Sequence, residues 1–541
     1  MKAIADSLSE DYRSKGAWGT STLDSLFKQT AARHPRRVAL VDAPDKNEWT
    51  GGTPRQLTYE EADREIDRLA GFYRAVGLTA DSVLGLQSPN TVETVIAFLA
   101  GLRADLIVSP IPMHWRQGDL LTALNAVGAK GLIAADRIET RSTGLSARDA
   151  AADIFSLRFV FGLGQDIPDG LIELAPMLEE MGDELVAPVS ERTDAADHIA
   201  TLCWSRMSKE PLPVTRSHNH WVAAAKLALT HTPMADGATL LVPYGLSGLT
   251  GLGAGLTPWL LCGGTLHLHH ARSLGNLARH ANQVRADYIL APGPLAAMLS
   301  SSLSAPKRTV AAAWNISSPS VRAFVTRHDV VDLHVADEYG MVGRLRNPDG
   351  TPDPVTLGSH ADSTTDVDAP ALLHLGATDS KSAATKLRIK GPAAPGRKWH
   401  SISDDQNWKT DNLGFIETDI SIEPENGELS TFGVPGQYAP GGADLTGIDE
   451  IFQNFPGVQD AAAFLVEDEI LGGRLYAALV PLPGTAPDAK AFFSYLDTNG
   501  VDLIKIPHRV LVLTALPRTE DGQVDREKLT MRTQRMPAKV A

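Results

Sequence analysis

The pattern of apolar and polar positions changes character twice along the chain. In the first part, apolar residues recur at helical spacing in "TLDSLFKQTAARHP" and in "LTYEEADREIDRLAGFYRAVGL". In the second of these, Leu69, Phe72 and Tyr73 share one stripe, with Thr58 or Tyr59 near the start. Short apolar runs, "RVALVDA", "SVLGLQS", "LIVSPIP" and "KGLIAAD", alternate with the helix candidates "TVETVIAFLAGLRA" and "QGDLLTALNAVGA". Such alternation predicts βαβ units and a parallel sheet covered by helices. A second series runs from about 198 to 340 and includes "DYILAPGPLAAMLSS". Pro, Gly, Asp and Ser then rise, and "ALLHLG" and "TKLRIKG" predict a smaller β-rich unit over about 345–425. The stretch "PENGELSTFGVPGQYAPGGADLTG" at 424–447 reads as a linker. After it, "IDEIFQNFPGV", "AAAFLVED", "RLYAALVPL", "AFFSYLDTNG" and "RVLVLTALP" predict a compact α/β unit. The expected architecture is α/β. A large N-terminal domain, 1–430, holds two parallel-sheet subdomains and the β-rich unit, and a small α/β domain, 431–541, follows on a hinge.

Bulk properties narrow the class. A chain of 541 residues exceeds one ordinary core and predicts roughly three or four packing units. The net charge of −15 argues against a nucleic-acid partner and against docking on anionic lipid. Two cysteines, Cys203 and Cys262, imply no disulfide framework. The first residues, "MKAIADSLSEDYRSKG", lack the apolar core of a signal peptide. The most apolar stretch is interrupted by Arg103 and Asp105, so no membrane span is expected and a cytoplasmic location is the default.

The same segments carry a family resemblance. From about Thr22 to Leu529, the chain resembles the adenylate-forming superfamily of acyl- and aryl-CoA synthetases, peptide-synthetase adenylation domains and luciferases. The stretch "LTYEEADREIDRLAGFYRAVGL…SVLGLQSPNTVETVIAFLAGLRADLIVSPIP" is similar to the family's N-terminal segment, "WLLCGGTLHL" to its paired-glycine turn, and "IDEIFQNFPGVQDAAAFLVED" to the start of its mobile C-terminal domain. The resemblance implies a carboxylate substrate and ATP. An acyl-adenylate forms, the C-terminal domain rotates, and a thiol, CoA or a carrier protein, takes the acyl group.

Four segments that serve the nucleotide in the family depart from its pattern here. The phosphate-cradling loop Y-T-S-G-T-T-G-x-P-K-G aligns with "CWSRMSKEPLPV": Ser205, Ser208 and Pro211 are kept, Arg206 and Lys209 stand at glycine positions, Met207 replaces a hydroxyl, and Leu212 and Pro213 replace the lysine and the next glycine. Glycines there give positive φ and converging N–H groups, and a non-glycine residue held that way costs about 1–3 kcal/mol. Arg206 and Lys209 still offer point charges to an anion. The Tyr-Gly-x-Thr-Glu segment reads "YGMVG": Tyr339 and Gly340 remain, while Val342 and Gly343 offer no side-chain oxygen to Mg²⁺, and Asp337 and Glu338 precede the tyrosine. The ribose-binding Y-x-T-G-D-L-G reads "WKTDNLG", with Asn412 at the aspartate position and Asp411 one residue before it. The C-terminal P-R-T-x-x-G-K reads "PRTEDGQ", with Gln523 at the lysine position. Loss of one preorganised donor to a developing negative charge is worth about 2.7–4 kcal/mol, two or three powers of ten in rate. The hinge charges are also missing from "TFGVPGQY".

Two readings follow. One is an acyl, CoA or nucleotide binder, or an acyl-transfer protein on a ready-activated substrate, that has lost ordinary ATP-dependent activation. The other is an active acyl- or aryl-CoA ligase in which Arg206, Lys209, Lys409 or Lys505 supplies the charge. A third, a non-catalytic subunit working with a partner synthetase, stays open. His218 matches a family histidine that lines the acyl site. "GLTGLGAGL" lacks a G-x-G-x-x-G and reads as close helix packing or a channel wall. His267 and His269 alternate on one strand face as a metal pair does, with no third ligand identifiable.

Overall fold

The computed structural model describes residues 1–182, 186–205, 211–270, 272–304, 306–362, 368–378, 385–399, 408–434, 438–439, 441–468, 470–486, 488–519 and 521–534. The apolar stripes become buried helix faces. Helix Tyr59–Ala75 starts at Thr58, whose hydroxyl accepts the Glu61 N–H while the Glu61 carboxylate accepts the Thr58 N–H. Two donors of the open helix end are thereby satisfied. Ile66, Leu69, Phe72 and Tyr73 then point into the core. Thr58→Ala is expected to cost about 1 kcal/mol, seen as faster amide exchange in that first turn and little change elsewhere.

Two sheets dominate. The first orders its strands Ile172–Glu173, Phe159–Leu163, Gly131–Ala135, Val83–Gln87, Ile107–Pro110, Ile199–Ser205, Leu212–Ser217. All pairs are parallel except the last. The second orders Gly340–Leu345, Asp329–Ala336, Thr309–Asn315, Tyr288–Pro292, Thr239–Val242, Thr265–Leu268, Val38–Val41, Gln56–Thr58, with antiparallel pairs only at its two edges. The shared apolar core lies between the sheets and includes Trp221, Trp259 and the helix Val92–Arg103, buried at every position but Glu93.

One strand sits where the pattern did not place it. "RVALVDA" reads as part of the first series, yet Val38–Val41 pairs in parallel with Thr265–Leu268 of the second sheet, Leu40 opposite Leu266. A short apolar run fits either sheet; here polar anchors choose. The Tyr59 hydroxyl and the Trp259 indole N–H both donate to the Gly264 carbonyl at 2.8 Å, and Thr265 Oγ1 donates to the Val38 carbonyl at 2.8 Å. Gly264 has no room for a side chain, since a Cβ would stand 1.8 Å from the Ala238 carbonyl oxygen.

The β-rich unit is a four-stranded antiparallel sheet, Gly358–Ala361, Ala371–Ala377, Lys386–Lys390, Ile416–Ser421. The predicted linker is partly structured: Glu428–Leu429 pairs with Val355–Thr356, and helix Leu445–Gln453 begins inside it. Beyond it, Val458–Asp468, Gly472–Pro481 and Arg509–Val512 form a separate three-stranded sheet with its own phenylalanine-rich core. This small C-terminal domain sits on the large one. Arg116 donates to Asp497 Oδ1 at 2.7 Å, His114 Nε2 lies 3.5 Å from Asp502, and a Cβ on Gly472 would stand 2.6 Å from the Ser317 carbonyl oxygen. Among the described residues, no helix is long and apolar enough to cross a membrane.

Candidate functional site

A cleft of about 270 Å³ opens where carboxyl ends of strands from both large sheets converge. Open α/β sheets place ligands at such ends. Pro112 to His114 follow Ile107–Pro110, Trp204 is the penultimate residue of Ile199–Ser205, Asn315 ends Thr309–Asn315, and Asp337 and Glu338 follow Asp329–Ala336. Gly441 and Gly442, leading into the C-terminal domain, close one side. The segment "GLSGLTGLGAGL" supplies another wall through Gly245 and Ser247 to Gly251. It runs as a π-helix over Leu249–Leu256, a form often found at functional sites. A Cβ on Gly248 would stand 2.3 Å from Glu338 Oε1, so this glycine lets the backbone lie against the carboxylate. Asp337 is held at φ +48° between Asp329–Ala336 and Gly340–Leu345.

Beside the cleft, Tyr339 is buried, its ring edge-on to Trp408 at 5.8 Å between centroids, and its hydroxyl hydrogen-bonds the Ser205 side chain. Burial pushes the phenol well above its ordinary range. The turn carrying it is clamped by Arg216, which sequence reasoning passed over. This fully buried guanidinium donates to the carbonyls of Ala393 at 2.9 Å and Glu338 at 2.7 Å, with its cation over the Trp221 ring. Alternation along "LPVTRS" marks no face as buried for an arginine, so the signal was absent.

Gly340 opens the strand Gly340–Leu345. Gly340 faces Leu373 and Ile389 of the β-rich sheet, and Val342 is core. Gly343, which the resemblance aligns with a magnesium carboxylate, lies directly under helix His218–Leu229: a Cβ would meet the carbonyl oxygens of Ala228 at 2.9 Å and Leu227 at 3.0 Å. The residues here do not fit a metal ligand at that point. Among the described residues, no group of three or more His, Cys, Asp or Glu could hold a metal ion.

The other predicted site residues disperse. Asp411 pairs with Arg388, and its Oδ1 accepts the N–H groups of Leu413 and Phe415 at 2.8 and 3.0 Å. Partial burial raises its pKa, but those two N–H groups and Arg388 outweigh this and hold it below the usual carboxylate range. Asn412 and Lys409 are exposed on the same turn. Gln523 is exposed, away from the cleft lining, in a turn closed by the Thr519 N–H donating to the Gln523 carbonyl at 2.9 Å. Lys505 lines a separate cavity of about 190 Å³ together with Asp119 and Asp444, next to the Gly441 turn through Ile504. His218 is buried with Nδ1 accepting the Leu23 N–H at 3.1 Å; it ties two helices and lines no part of the cleft. Arg206, Ser208 and Lys209 lie outside the described residues. His267 and His269 pack against His280, whose Nδ1 lies 3.1 Å from that of His269, but the three form no metal-holding group.

Comparisons with known proteins fit this frame. The chain is similar to the salicyl-AMP ligase / salicyl-S-ArCP synthetase of Mycobacterium tuberculosis, 25% identical over 553 residues, covering 96% of this chain and 92% of that protein. It is 22% identical to the medium-chain fatty-acid–CoA ligase of Escherichia coli, covering 95% and 91%. In fold it resembles the amide bond synthetase McbA from Marinactinospora thermotolerans, with a TM-score of 0.69 at 15% identity over 94% of this chain and 99% of that one. It also resembles the o-succinylbenzoate CoA synthetase MenE from Bacillus subtilis, with a TM-score of 0.67 at 17% identity, covering 94% and 98%. A family model described as AMP-binding enzyme matches residues 27–344, more than half of the chain, and the chain belongs to that family.

Proposed function

We propose that this protein binds a small carboxylic acid or its acyl derivative in the cleft beneath the C-terminal domain, and that it does not form an acyl-adenylate at the rate of an ordinary ligase. Membership of the family supports ATP or AMP as the nucleotide, and relatives named for CoA and for a carrier protein support a thiol acceptor. The observation that carries the reading is Gly343. Its contact with two backbone carbonyls makes the metal-carboxylate position a packing position. Gln523 adds to it, because an uncharged amide replaces the ammonium aimed at the α-phosphate in the resemblance. The N-terminal domain would be residues 1–430 and the mobile one 431–541, with Ser205, Tyr339 and Gly340 bordering the ligand.

Carboxylate-dependent ATP–pyrophosphate exchange tests this across aliphatic and aromatic acids. Exchange is expected at least about 100-fold below an active relative run beside it, while one or more acids or acyl thioesters raise the melting temperature. Exchange at the relative's rate overturns the reading. It would favour the second one, an active ligase in which Lys505, at the cavity adjoining Gly441, supplies the missing charge.

A further inference from the structure

A separate cavity of about 340 Å³ shares no lining residue with the cleft. It lies at the carboxyl ends of Val83–Gln87, Gly131–Ala135 and Phe159–Leu163. The strand order reverses there: the chain passes from Val83–Gln87 to Ile107–Pro110 on one side and returns to Gly131–Ala135 on the other. The crevice at such a switch point is where open parallel sheets receive ligands.

The rim is fixed by its own bonds. The Asp136 carboxylate accepts the N–H groups of Arg137, Gln165 and Asp166 at 2.5, 3.1 and 3.2 Å. Gly164 allows this, at φ +140°, because a Cβ there would stand 2.2 Å from Asp136 Cγ. Above, Lys46 is bonded to Asp42 and Glu93, and Arg55 pairs with Glu65 and Glu93. Arg137 alone among these lining charges is uncommitted. Its half-buried guanidinium lies against Gly51, where a Cβ would be 3.0 Å from Nη2, and it makes no hydrogen bond or ion pair among the described residues. A guanidinium presents a planar fork of donors that matches a phosphate or carboxylate. Ser88 and Thr53 each add a hydroxyl to the lining.

We propose that this cavity is a second ligand site, holding a small oxyanionic metabolite with its phosphate or carboxylate on Arg137. The volume suits a molecule of mononucleotide size or smaller, at the low end of the roughly 300–1,000 Å³ of small-molecule sites.

Isothermal titration of the full chain with inorganic phosphate and, separately, with malonate tests this. At least one anion is expected to saturate with a Kd of about 1 mM or tighter, weakened at least tenfold in Arg137→Gln and less in Arg137→Lys. Saturation by phosphate identifies a phosphate ligand, and saturation by malonate alone a carboxylate. If Arg137→Gln does not fold, protection of Arg137 from phenylglyoxal by the same anion in the wild-type chain decides. Absence of saturation, equal binding by folded Arg137→Gln, or unprotected labelling overturns the proposal. Pyrophosphate exchange reads the cleft and not this cavity, so the two proposals fail separately.

Discussion

Gly343→Glu is expected to destabilise the large domain by more than about 4 kcal/mol and to restore no pyrophosphate exchange. The substitution rebuilds the carboxylate that the family resemblance would use for Mg²⁺, so a purely chemical view predicts a gain. Packing predicts the opposite. The strand Gly340–Leu345 pairs along its length with Asp329–Ala336, Gly343 opposite Leu333, and its other side presses on the end of helix His218–Leu229. The first atoms a new side chain meets are the carbonyl oxygens of Leu227 and Ala228. These are backbone, with no rotamer to yield, and they repel a carboxylate. Overpacking costs about 1–3 kcal/mol, and a buried unpaired charge costs several more. Gly343→Ala separates the two terms: it is expected to lose only about 1–3 kcal/mol. Thermal or urea unfolding of both variants, with exchange measured at saturating Mg²⁺, checks this. A folded Gly343→Glu protein with new Mg²⁺-dependent exchange would show that the strand can move and the position is open.

That residue also marks the limit of what the sequence discloses. Gly343 reads in sequence as a lost ligand, whereas in the structure it is a contact between a strand and a helix end. The helices Leu23–Arg33 and Tyr59–Ala75 were legible because amphipathic periodicity and N-caps are local signals. The sheet membership of Val38–Val41 was not, because its partner lies more than two hundred residues away. The surroundings of the cleft were less legible. Tyr339 and Ser205, singled out by separate motifs, hydrogen-bond to each other, but Arg216 is buried among carbonyls from two distant segments, and no periodicity reports a convergence of that kind. Gln523 was found by its motif, yet a motif says nothing of domain orientation, and here the turn that bears it faces solvent.

Acidification is expected to unfold the large domain cooperatively between about pH 6.5 and 4, with proton uptake on unfolding. Burial, with His280 adding repulsion, pushes His267 and His269 down to about 4, and burial pushes His280 itself to about 4. Burial likewise holds His360 at about 4 and His218 and His334 at about 3. In the unfolded chain each returns to about 6.5. The unfolded state therefore binds more protons throughout this window, and stability falls as pH falls. It is complete above the unfolded value and lost on descending to the folded one. A single histidine held at about 4 accounts for about 3 kcal/mol. The cluster of His267, His269 and His280 does not sum simply, because protonating one opposes protonating the next. A buried carboxylate whose pKa is raised acts in the other direction. Asp332, raised by burial against the pull of Arg346, binds its proton earlier in the folded state and so adds stability on acidification. Urea midpoints at pH 7.5, 6, 5 and 4.5, with proton uptake from calorimetry in buffers of different ionisation enthalpy, measure the balance. A fall of several kcal/mol centred near pH 5 is the expected result. A flat profile down to pH 4.5 would mean that the cluster takes up protons while folded, through an opening between strand Thr265–Leu268 and helix Leu274–Val284 that gives His269 and His280 solvent.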